Sequence, residues 1–207
     1  MKDLVIIGAG GHSRPLIDTA YLEKKWSSIK IIDKKFKKVE TILGSDLVGG
    51  FDKLPNFDNK KTQFIIGVGD NNERKFIYES LKDMRLEYTN LVHPKAIVSK
   101  FSKIGLGNFI GPFSNIGPGV EIGNQNIINS YADIEHEVTI GHFCQIAPHA
   151  LICGRSLLGD RIFIGANSTV IEKVEVPSGL VLGAGSVIVN SNLTPNAKYV
   201  GTPARKL

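Results

Sequence analysis

Every sixth residue from Val98 to Ile188 is aliphatic, sixteen hexads in succession without an insertion. The residue four places after the aliphatic is usually small, as at Ser114, Ala132, Ala150, Ser168 and Ser186, and glycine often follows the aliphatic, as at Gly105, Gly117, Gly141 and Gly165. A period of six fits neither a helix nor a long strand. It describes one short strand and one turn, the unit of a parallel β-helix. Three hexads close an 18-residue triangular coil, so the run predicts about five coils, roughly 24 Å tall at a strand spacing of ~4.8 Å. Each inward Ile or Val is worth ~1.5–3 kcal/mol before chain entropy is subtracted. Residues 91–207 hold only 16 of the 45 formal charges, and flat faces with so few charges favour association. A homotrimer closed around a three-fold axis is the first expectation.

The 207 residues allow one or two domains with ample core. The net charge of +5 is too diffuse to argue for a nucleic-acid partner. Lys34, Lys35, Lys37 and Lys38 form a local basic cluster that reads first as a solvated loop, with phosphate recruitment the alternative. Cys144 falls on a small inward hexad position, where a free thiol packs as a small hydrophobe, and Cys153 follows the inward Ile152. Two such cysteines do not make a disulfide framework. Met1 leads directly into a strand-like run, with no signal peptide and no apolar stretch of spanning length, so a cytoplasmic protein without membrane insertion is expected.

Residues 1–90 follow a different pattern. Leu4-Val5-Ile6-Ile7 is a buried-strand run ending in Gly8-Ala9-Gly10-Gly11-His12-Ser13, and Pro15 sits in the first turn of a helix carrying Leu16, Ile17, Ala20 and Tyr21. Ile29–Ile32 reads as a second strand closed by Asp33, and Phe64-Ile65-Ile66-Gly67-Val68-Gly69 as another strand and its glycine-containing turn. Asp70 or Asn71 is placed to cap a helix from Glu73 to Arg85. A last strand near 87–92 leads into the coils. Alternating strand and helix predicts a small parallel sheet, a Rossmann-like half domain with ligands at the carboxyl ends of its strands. Gly8 and Gly10 match the start of the dinucleotide fingerprint, but Ser13 stands where its third glycine belongs, and a full dinucleotide domain needs a second half. A nucleotide cradled by backbone N–H groups and a helix N-terminus is the better expectation. His12 is either a turn residue with its ring in solvent or a ligand contact.

The coils carry one polar, titratable interruption, Asp133-Ile134-Glu135-His136-Glu137. Ile134 keeps the register, so His136 falls on a flat face or its edge. A histidine beside a carboxylate is the smallest general-base unit, because the carboxylate fixes the tautomer and stabilises the imidazolium. In a pure strand Glu135 and Glu137 both point away from His136; only corner geometry or a neighbouring chain brings one of them to it. His136, His142 and His149 also suggest zinc, but His136 and His142 hold equivalent hexad positions on successive faces of one coil and His149 shifts the register, so no metal is expected.

Four motifs in order, Ile7-Gly8-Ala9-Gly10-Gly11-His12, Ile66-Gly67-Val68-Gly69-Asp70-Asn71-Asn72, Ile134-Glu135-His136-Glu137 and Gly201-Thr202-Pro203-Ala204-Arg205, span essentially the whole chain. Together they resemble the sugar-nucleotide acetyltransferases of the hexapeptide-repeat class, the group of bacillosamine-type N-acetyltransferases and sialic-acid O-acetyltransferases. The resemblance implies an α/β nucleotide-sugar domain over residues 1–90 followed by a left-handed parallel β-helix and tail over 91–207. It implies acetyl-CoA as cosubstrate, a nucleotide-activated amino sugar as acceptor, UDP-linked first, and active sites between the subunits of a homotrimer. His136 matches the general base and Glu137 its supporting carboxylate. Gly10, Gly11, His12 and Gly67 match nucleotide-sugar contacts. Asp33 matches an acid at the base and ribose, with Lys34 where relatives often carry a second acid. Ala166 and Ala184 match backbone contacts to acetyl-CoA, over which Gly201, Pro203 and Arg205 close; Gln145 stands where relatives can have a cofactor-contacting histidine.

Overall fold

The computed structural model describes residues 1–207, which form two compact units, Met1–Pro94 and Lys95–Leu207. In the first, β1 (Lys2–Ile7) lies between β2 (Trp26–Ile32) and β5 (Thr62–Ile66), parallel to both. Leu4 to Ile7 are all fully buried, because a central strand has an apolar layer on each face. Beyond β2 lies β4 (Ser45–Gly49), parallel to it, and at the edge β3 (Glu40–Ile42), antiparallel to β4. The sheet is therefore mixed, which corrects the expected parallel one: Leu43 and Gly44 both take positive φ, 48° and 79°, and fold residues 40–49 into a hairpin.

Helix α1 (Ser13–Glu23) buries Leu16, Ile17 and Ala20 as its pattern predicts, but Tyr21 is exposed and donates its hydroxyl to Gly44 O at 2.9 Å. Helix α2 (Asn71–Ser80) is capped by Asp70, whose carboxylate accepts Glu73 N–H at 2.8 Å. It ends five residues before Arg85, and a 3-10 turn covers Lys82–Met84. The predicted strand at 87–92 is reduced to a bridge between Tyr88 and Phe64 and a short piece at Leu91–Val92.

The second unit is a parallel β-helix. Sixteen two-residue strands run from Ile97–Val98 to Val187–Ile188, each ending on the aliphatic of its hexad, and they stack in three parallel sheets. Partners are 18 residues apart, as in Ile116, Ile134, Ile152 and Val170. Most hexad aliphatics are fully buried, but Val98 is 37% exposed, because its strand has the Asn115–Ile116 strand on one side only.

Polar groups follow the same 18-residue interval inside the coils. Asn108 Oδ1 accepts Asn126 N–H, Asn126 Oδ1 accepts Cys144 N–H, both at 2.7 Å, and Cys144 Sγ accepts Ile162 N–H at 3.4 Å. Cys144 thus ends an internal asparagine ladder, each rung satisfying a buried backbone donor. At one corner the chain turns through Phe113, Tyr131 and His149, all at positive φ near 58°. Their rings stack, with centroids 4.9 and 4.6 Å apart.

Candidate active site

The parallel strands of the first unit end at Ile7, Ile32 and Ile66, and the loops that follow line a cavity of about 580 Å³. Gly8 to His12, Asp33 to Lys35, Lys37, Lys38, Gly67 to Asp70 and Phe76 all face it. It sits where the chain leaves β1 for β2 on one side and returns to β5 on the other, the switch point at which open α/β sheets bind ligands.

The glycines divide into two kinds. Gly8 has φ +115°, and a Cβ there would stand 2.8 Å from Val68 Cγ2; a Cβ on Gly67 would stand 2.8 Å from Ile6 Cγ2. Packing demands both. A Cβ on Gly10 or Gly11 would meet nothing within 4 Å. Nothing inside the fold requires glycine at these two positions, and the space in front of their backbone is open.

Asp33 serves the turn first. Its Oδ2 accepts Ala9 N–H and its Oδ1 accepts Lys35 N–H, both at 2.7 Å, so the carboxylate ties the end of β2 to the glycine turn. Arg74 is buried and donates to Val68 O at 3.0 Å, Gly69 O at 2.8 Å and Asn71 Oδ1 at 2.7 Å, fixing the β5–α2 turn. Half-buried His12 has its pKa pushed down to about 3, chiefly by burial and then by the Arg74 charge. Near neutral pH and without a ligand it is an uncharged imidazole.

Lys34, Lys35, Lys37 and Lys38 are exposed on a loop, as the solvated-loop reading expects, and the same loop borders the cavity, whose lining also carries Asp33, Glu40, Asp70 and Glu73. Lys34 Nζ lies 5.6 Å from the ring centroid of Phe76, a side chain 61% exposed. Phe76 was not legible in the sequence, since only the fold shows that this face of α2 borders the cavity.

On the coils, corner geometry brings one carboxylate to His136. Glu137 has φ +57°, which swings its side chain back so that Oε2 lies 3.2 Å from His136 Nδ1. The same oxygen accepts Arg155 Nε–H at 2.7 Å. The Arg155 hydrogen bond first, then that to His136, holds the Glu137 carboxyl below its ordinary range, so it is an anion near neutral pH. Below the imidazole lies Gly154, where a Cβ would stand 2.6 Å from His136 Cε1 and Nε2. Gly154 and Arg155 are the residues stacked 18 positions after His136 and Glu137. The repeat interval itself was the signal that could have found them.

The other histidines have separate employments. His142 Nδ1 accepts Asn124 N–H at 2.9 Å and its own N–H goes to Asp160 Oδ1 at 2.7 Å, while His149 belongs to the aromatic stack.

Ala166 and Ala184 share a corner, joined by Gly185 N–H to Ala166 O at 2.8 Å. The tail folds onto that corner: Gly201 N–H donates to Ser186 Oγ at 2.9 Å, Ala204 N–H to Val187 O at 2.8 Å, and Thr202 Oγ1 to Gly185 O at 3.3 Å. Pro203 lies in this turn, and exposed Arg205 follows it in a short strand antiparallel to Lys198–Val200. Ala184 is exposed and a Cβ on Gly185 would meet nothing within 4 Å, which leaves room for a ligand beside the backbone. Gln145 is half-buried on a strand of the sheet that leads into this corner. The structure therefore gathers Ala166, Ala184, Gly201 and Pro203 at one corner and His136 with Glu137 at another.

Comparison with known proteins bears on the fold and on the first unit. Residues 3–81 match the family model described as the PglD N-terminal domain. A UDP-N-acetylbacillosamine N-acetyltransferase from Bacillus subtilis (strain 168) is 32% identical over 113 residues, 53% of this chain and 51% of that protein, so the match spans about half of the curated relative's length. Among solved structures, the acetyltransferase domain of PglB from Neisseria gonorrhoeae FA1090 is 26% identical with a TM-score of 0.94, and all of both chains is covered. PerB from Caulobacter crescentus, solved in complex with CoA and GDP-perosamine, is 27% identical with a TM-score of 0.92, covering 100% of this chain and 98% of that one. Across its full length the chain thus shares the fold of these two solved proteins, and its first unit matches the PglD N-terminal domain.

Proposed function

We propose that this chain transfers the acetyl group of acetyl-CoA to the amine of a nucleotide-linked 4-amino-4,6-dideoxy sugar, with a UDP-linked acceptor favoured. The observation that carries the reading is the His136–Glu137 pair, an imidazole whose Nδ1 faces a carboxylate at 3.2 Å. With Nδ1–H donated to Glu137, Nε2 is left as the proton acceptor, and the imidazolium formed there is stabilised by the anion behind it. Acetyl-CoA supplies an activated thioester whose carbonyl carbon the amine attacks, with coenzyme A leaving as the thiolate. His136 takes the proton the amine must lose, and positioning supplies the rest of the acceleration. The neutral His12, the open backbone at Gly10 and Gly11 and the lysine rim suit a phosphorylated acceptor, with Gly67 and Asp33 shaping the turn around it. Ala166, Ala184 and the Gly201–Arg205 tail suit the cosubstrate. Because these two groups stand at different corners of one column, a homotrimer with sites between subunits is the assembly we propose; the UDP-linked preference draws on the Bacillus relative and a GDP-linked alternative on PerB.

The test is acetyl-CoA-dependent thiol release against a panel of UDP-, GDP- and dTDP-linked 4-amino sugars and free sialic-acid-like sugars. Release with a nucleotide-linked amine supports the reading; release only with the free sugars replaces it with O-acetylation. Nucleotide-sugar binding without release from any of them would make the chain a binding scaffold. Phe76 offers a separate check. If the base stacks on it, Phe76→Ala raises KM for the nucleotide sugar about tenfold or more, at ~1–3 kcal/mol per stacked base, while kcat is preserved and Phe76→Trp stays near wild type. An unchanged KM removes the base from this part of the cavity.

A further inference from the structure

We infer that Arg155 is a positioning residue for the His136–Glu137 pair, holding the Glu137 carboxylate where the imidazole can use it. The inference rests on the reading of His136 as the base.

Glu137 is an exposed side chain at a corner, its side chain 55% accessible, and the His136 side chain is 49% accessible. An exposed carboxylate on a short flexible stem does not keep one rotamer for a histidine contact alone, and surface ion pairs of this kind are individually weak. Arg155 changes that. It lies one coil on, at the position stacked on Glu137, and reaches the pair twice: its backbone N–H donates to His136 O at 3.0 Å and its Nε–H to Glu137 Oε2 at 2.7 Å. The first bond fixes the Arg155 backbone against His136, on the same neighbouring coil as Gly154. The second clamps the same oxygen that faces His136 Nδ1. A carboxylate oxygen has lone pairs for both donors, so the three side chains form one chain of contacts, Arg155 to Glu137 to His136. Arginine is suited to this, since its planar, permanently charged group offers directed N–H donors. The order of contacts matters: Arg155 touches Glu137 and not the ring, so its influence on the proton acceptor passes through the carboxylate.

Transmission through Glu137 gives the inference its test. Arg155→Gln lowers kcat about tenfold with KM for both substrates within about twofold, and Arg155→Lys, which keeps a cationic donor, recovers most of the loss. In a double-mutant cycle, adding Arg155→Gln to Glu137→Gln costs nothing further, because the carboxylate it positions is already gone. The inference is overturned if Arg155→Gln leaves kcat unchanged, or if its loss persists in full in the Glu137→Gln background. It is also overturned if KM for acetyl-CoA rises at constant kcat, which would make Arg155 a ligand for the cosubstrate's phosphates. Failure of the underlying reading looks different: His136→Ala would then retain turnover, whereas an inactive His136→Ala with an indifferent Arg155→Gln sinks this inference alone.

Discussion

His136→Ala is expected to lose ~10²–10⁴ of kcat in acetyl transfer, the range a positioned general base supplies. The imidazole is a half-exposed side chain on a corner, with no part in the core formed by Ile134 and Ile152, so the fold should survive its removal. Thermal unfolding of the variant should match wild type within a few degrees while turnover collapses. KM for both substrates should change little, because the ring's contribution comes when the amine gives up its proton. Turnover within a few-fold of wild type would remove His136 from the chemistry, and with it the reason for reading this corner as the reacting centre.

Gly154→Ala should cost about as much without touching any group that exchanges a proton. The new methyl carbon would stand 2.6 Å from His136 Cε1 and Nε2, closer than carbon and nitrogen can pack. Gly154 does not have a positive φ, so the alanine backbone is unstrained and the exposed ring is what moves. A displacement of about 1 Å in a reacting group costs on the order of 10²-fold in rate. We expect kcat to fall by about that factor with an unchanged melting temperature. Normal kinetics in Gly154→Ala would mean that the ring works in another rotamer than the one over Gly154.

These two residues also mark what sequence reasoning reaches. The column was legible because its core obeys one rule: each inward aliphatic ends a two-residue strand, and the same position recurs 18 residues later. His136 stood out because charged residues are scarce on the coils. Which carboxylate serves it was not legible, since the answer depends on Glu137 taking φ +57° at a corner where a strand alternation would have turned it away. Gly154 and Arg155 were missed for a related reason, as local reading looks along the chain and the relevant neighbour is one coil away. In the first unit the central strands and the capped helix were readable from apolar runs and from Asp70. The hairpin at 40–49 was not, because it rests on Leu43 in the left-handed region, where a leucine gives no turn signal. The lysines after Asp33 are exposed on a loop, as a charge run suggests; that this loop borders a cavity at the carboxyl ends of β1, β2 and β5 was visible only in the fold.

The 18-residue stacking interval also makes the column a ruler. From the strand before His136 to the strand before Ala184 the chain advances 48 residues, which at ~4.8 Å per coil is a climb of about 13 Å. Gaining or losing one whole coil would leave every asparagine rung and every buried Ile with its partner type, yet would alter that climb by ~4.8 Å. A change of one or two hexads would keep aliphatic over aliphatic but would move the asparagine rungs and the corner residues to another face. Length in such a protein is thus quantised, and a change in the size of what it grips must come in whole coils or from the loops and tail at its ends.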